Sequence, residues 1–221
     1  MKTKDCLSSL FKHFQQSIKK RDTFDDGKSR LLEFRADLWE IYEFIFKNLS
    51  PEEFSKMPLS GEKTIGYYLW HLNRIEDITS NTLILDKTQI FYENGFQTKI
   101  NSPIATTGNE LKREELVGFS QKLDTAQLEK YARAVFDNTD SLIRNITFDQ
   151  SKIKIDAQKK QKLSELGCVS DDPDAFWLVD YWCGKDYAGL MLMPFSRHQF
   201  MHLGNCVKIM NKLGKKIPWK N

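Results

Sequence analysis

Apolar residues recur at steps of three and four along five separate stretches of this chain. That spacing commits the backbone to helices that each bury one face. The first stretch, near residues 4–19, puts Leu7, Leu10, Phe11, Phe14 and Ile18 on one side and turns His13 away from them. Asp25-Asp26-Gly27 is expected to break the chain. The second, near 29–48, carries Leu31, Phe34, Leu38, Ile41, Ile45 and Leu49. Ser50-Pro51-Glu52-Glu53 then offers a capping Ser, Pro at a first helical position and Glu three residues after the cap, so one short turn ending near Pro58 is predicted. The third stretch, near 63–85, aligns Ile65, Tyr68, Leu69, Leu72, Ile75 and Ile78. The fourth, near 125–146, follows an Asp124/Gln127 cap pair and aligns Leu128, Tyr131, Val135, Leu142 and Ile146. The fifth, near 186–213, stops at Gly214.

Only 11 Gly and 6 Pro occur in 221 residues, which disfavours a strand-and-turn architecture. The expected fold is all-α: a four-helix bundle over residues 29–221, with an additional N-terminal helix in an extension at 1–28. Residues 86–124, with Gly95, Pro103 and Gly108, read as a loop. A helix of ~23 residues spans about 35 Å, so this loop is long enough to act as a crossover connection between parallel third and fourth helices. Residues 147–185 hold a Lys-rich stretch and then the aromatic run Phe176-Trp177-Leu178-Val179-Asp180-Tyr181-Trp182, whose period fits a strand or a short helix. A small strand pair involving Ile153 to Ile155 is one reading.

Charge and cysteine content narrow the setting. The net charge of +3, from 33 basic and 30 acidic residues, makes no case for a nucleic-acid partner, and the lysine clusters at 159–162 and 212–220 read as solubilising. The four cysteines, Cys6, Cys168, Cys183 and Cys206, form no closely spaced pair, which points away from zinc knuckles and disulfide scaffolds and toward a reducing compartment. The N-terminal segment lacks the apolar core of a signal peptide, and the longest apolar run, Ala188 to Phe195, falls short of the ~20 residues that span a bilayer. A cytoplasmic protein without membrane association is the expectation.

Chemistry concentrates in the histidines. On the fifth helix the inward seam runs Met191, Phe195, His198, His202, Asn205 and Ile209, so polar residues interrupt it near its middle. His198 and His202 are four apart, which puts their Cβ atoms about 6 Å from each other on one face. That spacing suits two ligands of one metal ion. His71 lies on the apolar side of the third helix. A lone inward histidine is more often a hydrogen-bonded core residue, and His-x-x-x-His here lacks the metalloprotease glutamate, its intervening residues being Gln199, Phe200 and Met201. Pro194 either bends the last helix one turn before His198 or marks a later start. Cys206 reads first as a buried small hydrophobe and second as a fourth ligand or reactive thiol. Asn205 is placed to orient a ligand or water. Arg74 reads first as a solvated surface residue and second as a binder of an anionic substrate group. Trp177, Tyr181 and Trp182 read as core packing first, and as a pocket roof second. Glu76 and Asp77 turn away from the histidine face.

Two stretches carry a family resemblance. Leu49-Ser50-Pro51-Glu52-Glu53-Phe54 followed by Thr64-Ile65-Gly66-Tyr67-Tyr68-Leu69-Trp70-His71-Leu72, and Asp186 to Leu190 continuing through His198-Gln199-Phe200-Met201-His202-Leu203-Gly204-Asn205, resemble the DinB-like (DinB/YfiT) superfamily over roughly residues 30–214. The resemblance implies a four-helix bundle with a long crossover between its second and third helices. It implies a divalent metal ion, zinc or nickel foremost, on His71, His198 and His202. Some members of the family are thiol-dependent transferases or isomerases, and others are linked to stress or DNA-damage responses. Met201 stands where the family often has a further histidine, and Leu203-Gly204-Asn205 replaces its Arg-Gly-Gln, which puts the surroundings of the ligands in question. The functional expectation is a metal-dependent thiol transferase or hydrolase acting on a small-molecule substrate, with a low-molecular-weight thiol as partner. The alternative is a non-catalytic metal- or ligand-binding stress-response protein. A homodimer is compatible with either.

Overall fold

The computed structural model describes residues 1–219. It is all-helical, and no strand occurs among the described residues. Helix α1 (Lys4–Ser17) starts at Thr3, whose side chain accepts a hydrogen bond from the Cys6 amide, and it buries Leu7 and Phe14. A single turn at Arg21–Thr23 leads into α2 (Phe24–Asn48). The expected break at Asp25-Asp26-Gly27 is corrected: α2 runs through it. The two aspartates occupy the first turn, where negative charge suits the helix dipole. Gly27 is the contact point between the helices, because a Cβ there would stand 2.9 Å from the backbone nitrogen of Ile18. The turn α3 (Pro51–Phe54) forms as expected from sequence, with a reciprocal cap between Ser50 and Glu53.

Helix α4 (Ile65–Asp77) begins at Thr64, whose hydroxyl accepts from the Tyr67 amide. It then widens into a π-helical segment, Ile78–Leu85, which Asp86 ends in a left-handed conformation. Every residue of α4 is buried, although its pattern predicts one apolar stripe. The reason is the connection at 86–124, which is not a bare loop. It folds into α5 (Ile90–Glu93), α6 (Phe96–Lys99), one turn at Arg113–Glu115 and α7 (Leu116–Lys122), and α7 packs on α4. Buried Phe91, Phe96, Leu116 and Phe119 anchor these pieces, which Gly95, Pro103 and Gly108 keep short.

Helix α8 (Thr125–Asn145) starts at Asp124, which caps the Gln127 amide at 3.0 Å. After it come α9 (Phe148–Ser151), α10 (Ala157–Glu165) and α11 (Pro173–Cys183). The aromatic run is therefore helical, started by Asp172 as cap and Pro173 at the first position. The strand pair read at Ile153–Ile155 is corrected to one isolated bridge, between Lys154 and Asp186. The fifth helix is also divided, into α12 (Tyr187–Leu192), a π-helical turn at Met193–Arg197 and α13 (His198–Lys212). Pro194 has no N–H to donate, and the turn around it opens one residue wider than an α-helix. The Ser196 hydroxyl donates to the Met191 carbonyl at 2.8 Å inside that turn.

Helix α1 lies along α2. Helix α2 packs against α8 and α13, and α4 packs against the same two. No helix among the described residues is long and apolar enough to cross a membrane.

Candidate metal centre

The structure brings His71, from the middle of α4, to His198 and His202, from the first turns of α13. Their ring centroids are 4.6 to 5.3 Å apart. One nitrogen from each ring lies within 4.8 Å of the others, so the three histidines could hold a metal ion. His71 and His198 face each other Nε2 to Nε2 at 3.1 Å, within hydrogen-bond distance. Two bonds of 2.0–2.1 Å meeting at a tetrahedral angle put their nitrogens about 3.3 Å apart, so this separation suits a shared ion.

Protonation favours the same use. Burial pulls the His71 pKa down to about 3, with His202 adding to it. Burial and then the Lys63 charge take His202 to about 4. His198 sits well below its ordinary value through burial and its two neighbours. All three imidazoles are thus neutral at pH 7, the state in which a ring nitrogen has a lone pair to give. His71 Nδ1–H donates to the Thr107 carbonyl at 2.9 Å, which leaves Nε2 as its acceptor. Nδ1 of His198 and Nδ1 of His202 are buried without a hydrogen-bond partner. The two Nε2 atoms at 3.1 Å fit either a shared proton or a shared ion, and the third imidazole within 4.8 Å of both favours the ion. The orphaned Nδ1 atoms bear on the question raised by Met201 and Leu203: with Nε2 of His198 turned to His71, only His71 has a protein group orienting its far nitrogen.

The backbone carrying Thr107 is fixed by α4 itself. Three successive carbonyls of the 86–124 connection, those of Ala105, Thr106 and Thr107, accept from Arg74, Trp70 and His71 respectively. Gly108 then turns with φ +78 and lies under the Tyr67 ring. Arg74 therefore corrects both of its sequence readings. It is completely buried, donates to Ala105 O, Gln89 and the Tyr131 hydroxyl, and pairs with Asp77. It fastens the 86–124 connection to α4 and is closed off from solvent.

Cys206 is fully buried, outside the cluster of ligand atoms, and burial pushes its thiol pKa up; it is a small core residue. Asn205 donates to the Tyr68 hydroxyl at 3.3 Å rather than to a histidine. Asp77 and Glu76 stay out of the cluster, as their turn positions predict. The Asp77 carboxylate accepts from the amides of Ile90 and Phe91, which starts α5. His13 pairs with Asp26 on the surface.

A cavity of about 400 Å³ opens on the three rings. Trp177, Tyr181 and Trp182 of α11 line it together with Met193 and Met201; core packing holds for Trp182 and for Tyr181, which packs against the core, and both also face the cavity, while Trp177 does so from the surface. Trp177 is half exposed at the mouth, whereas Trp182 is sealed inside. Lys63, Tyr67 and Asn109 form its polar wall and do not stand out in the sequence as site residues. A signal for two of them exists: Lys63, Tyr67 and His71 succeed one another at steps of four.

Beneath the histidines lies a second group that sequence reasoning misses. Fully buried Arg35 donates to Glu76 at 2.8 and 3.1 Å, to Asp140 at 2.6 Å and to the Phe195 carbonyl at 2.9 Å. Gln199 donates to Glu76 at 2.8 Å and accepts from the Tyr42 hydroxyl at 2.8 Å. This network joins α2, α4 and α8 to the turn and the helix that present His198. Its signal is Arg35 itself, four residues after Leu31 and three before Leu38 on an apolar stripe.

Among known proteins, no family model matches the chain, and no curated protein matches it.

Proposed function

We propose that the chain is a DinB-like four-helix-bundle protein that holds a divalent metal ion, zinc or nickel foremost, on His71, His198 and His202. The reciprocal packing of α2, α4, α8 and α13 supports the bundle, with 86–124 as its crossover. The observation that carries the metal reading is the convergence of three neutral imidazoles on one side of a cavity. Three protein ligands leave a position open to a small molecule, as in catalytic rather than structural sites. When bound there, such an ion supplies Lewis acidity, polarising a substrate oxygen or lowering the pKa of a coordinated water or thiol. The protein's own part is to keep the three rings neutral, to hold His71 by Thr107, and to keep bulk water off the site with the α11 roof. Transfer of a small thiol to an electrophile, or hydrolysis, are the reactions this arrangement suits.

Metal analysis of protein purified without a histidine tag tests the reading. About one ion per chain is expected, falling below about 0.2 in His198→Ala. Wild-type protein that stays below about 0.2 after incubation with zinc and with nickel sinks it.

A further inference from the structure

The cavity wall has an uneven stock of hydrogen-bonding groups. Lys63 is half-buried, and its ammonium donates to the Tyr67 hydroxyl at 2.7 Å while lying 4.0 Å from the centre of that ring. Among the described residues no carboxylate lies within 4.0 Å of it. Glu110, whose charge reaches it, stands farther off, bonds the Thr106 hydroxyl and is not part of the cavity wall. Glu62, the preceding residue in the chain, is taken by Tyr68 and Lys208. The Tyr67 hydroxyl accepts from Lys63 and has no acceptor of its own among the described residues. Asn109 uses its carbonyl to accept from Thr107 and leaves its amide protons without an acceptor there. Three donors thus face the cavity with protons to spare, and apart from the imidazoles the wall offers few acceptors. Opposite stand Trp177, Tyr181, Trp182, Met193 and Met201, flat and soft surfaces of the kind that bury a planar apolar body.

We infer that this cavity takes a small molecule with a planar apolar body and a carboxylate, the carboxylate received by Lys63 and its neighbouring donors and the body held under the α11 roof. The inference names a substrate class for the histidine site and so rests on the reading above. A partly desolvated cation whose one nearby carboxylate, Glu110, lies beyond ion-pair distance gains from an anion that pairs with it directly, and a carboxylate accepts several donors at once. The volume, about 400 Å³, is that of a small-molecule site and not of a macromolecular groove.

The test titrates the full-length protein, as purified and after chelation, with 2-naphthoate and with its neutral counterpart 2-naphthamide, by calorimetry. Wild-type protein should bind the carboxylate at least about tenfold more tightly than the amide, the margin of one hydrogen bond to a charged group. Lys63→Gln should erase that preference and leave amide binding unchanged, Lys63→Arg should keep most of it, and Trp177→Ala should weaken both ligands. The preference surviving in Lys63→Gln overturns the inference, as does equal binding or no binding of the two ligands to the wild type. A preference seen only with metal loaded, and indifferent to Lys63, assigns the carboxylate to the ion: it overturns this inference and leaves the metal reading standing. A Lys63-dependent preference in protein that never loads metal does the reverse.

Discussion

Replacing Glu76 by Gln keeps the shape of the side chain and removes one charge from the network under the histidines. Arg35 is completely buried, and its strongest partner is the paired contact to Glu76. In Glu76→Gln the guanidinium retains Asp140 and two carbonyls, those of Phe195 and Phe136, but its charge is only half compensated in the core. Breaking a buried pair costs about 3–5 kcal/mol, and the surviving Asp140 contact puts this case near 3. Against a total stability of about 5–15 kcal/mol that is a large fraction, and for a chain of this size it lowers Tm by roughly 6–12 °C. Urea unfolding at constant m-value measures it. Removing both charges in Arg35→Met/Glu76→Leu should recover part of the loss: the buried pair no longer needs desolvating and Asp140 keeps Arg144 at 3.7 Å, while the Gln199 amide is left without its acceptor. The same single variant should weaken zinc binding about 10–100-fold, because one oxygen of residue 76 can no longer serve both Arg35 and Gln199, the residue after His198. A stability loss under about 1 kcal/mol, or a double variant less stable than the single one, refutes this account of the network.

Three further outcomes are expected. Gly27→Ala drives a methyl group to 2.9 Å from the Ile18 backbone and should cost about 1–3 kcal/mol in urea unfolding by parting α1 from α2. Gly108→Ala forces a side chain into a φ of +78, a strain of about 1–2 kcal/mol, and should loosen metal binding through Thr107 while Gly61→Ala, an open position, leaves both readouts unchanged. Metal-free protein should lose stability as pH falls below about 6.5, because the unfolded chain takes up protons that the buried imidazoles refuse. With His71 depressed to about 3, its share between pH 7 and pH 5 is about 2 kcal/mol, and His71→Phe should flatten the profile by that amount.

The helices were legible because an amphipathic stripe survives in sequence wherever one face is wet. Helix α8 follows from that rule, and its start from the capping chemistry of Asp124. It fails for α4, whose otherwise wet face is covered by the 86–124 connection, and for that connection itself, whose turns of helix are too short to show a period. Residues 25–27 misled for another reason: two acids and a glycine are turn chemistry in isolation, but here a helix start and a close helix contact use the same residues. The histidines stood out as polar interruptions of apolar seams. Arg35 did so too, yet a long cationic side chain is easily read as reaching for solvent. Lys63 and Asn109 could not be joined from sequence, because the backbone around Thr107 is what sets Asn109 beside the cavity.

The two π-helical turns flank the histidines, one after α4 and one before α13. Each takes one residue more per turn than an α-helix. In 193–197 the extra residue is absorbed without changing the phase of α12 against α13, because one π turn of five residues and four residues of α-helix each sweep about 400°. Deleting one residue there would let the turn close into ordinary helix and would leave Tyr187, Leu190 and Met191 facing the core. The cost would fall on the contacts the wide turn makes, the Ser196 bond to Met191 and the Phe195 carbonyl that Arg35 holds. The segment before His198 is thus one that can lose a codon and keep its register, whereas a codon lost within α12 or α13 would turn every side chain beyond it by about 100°.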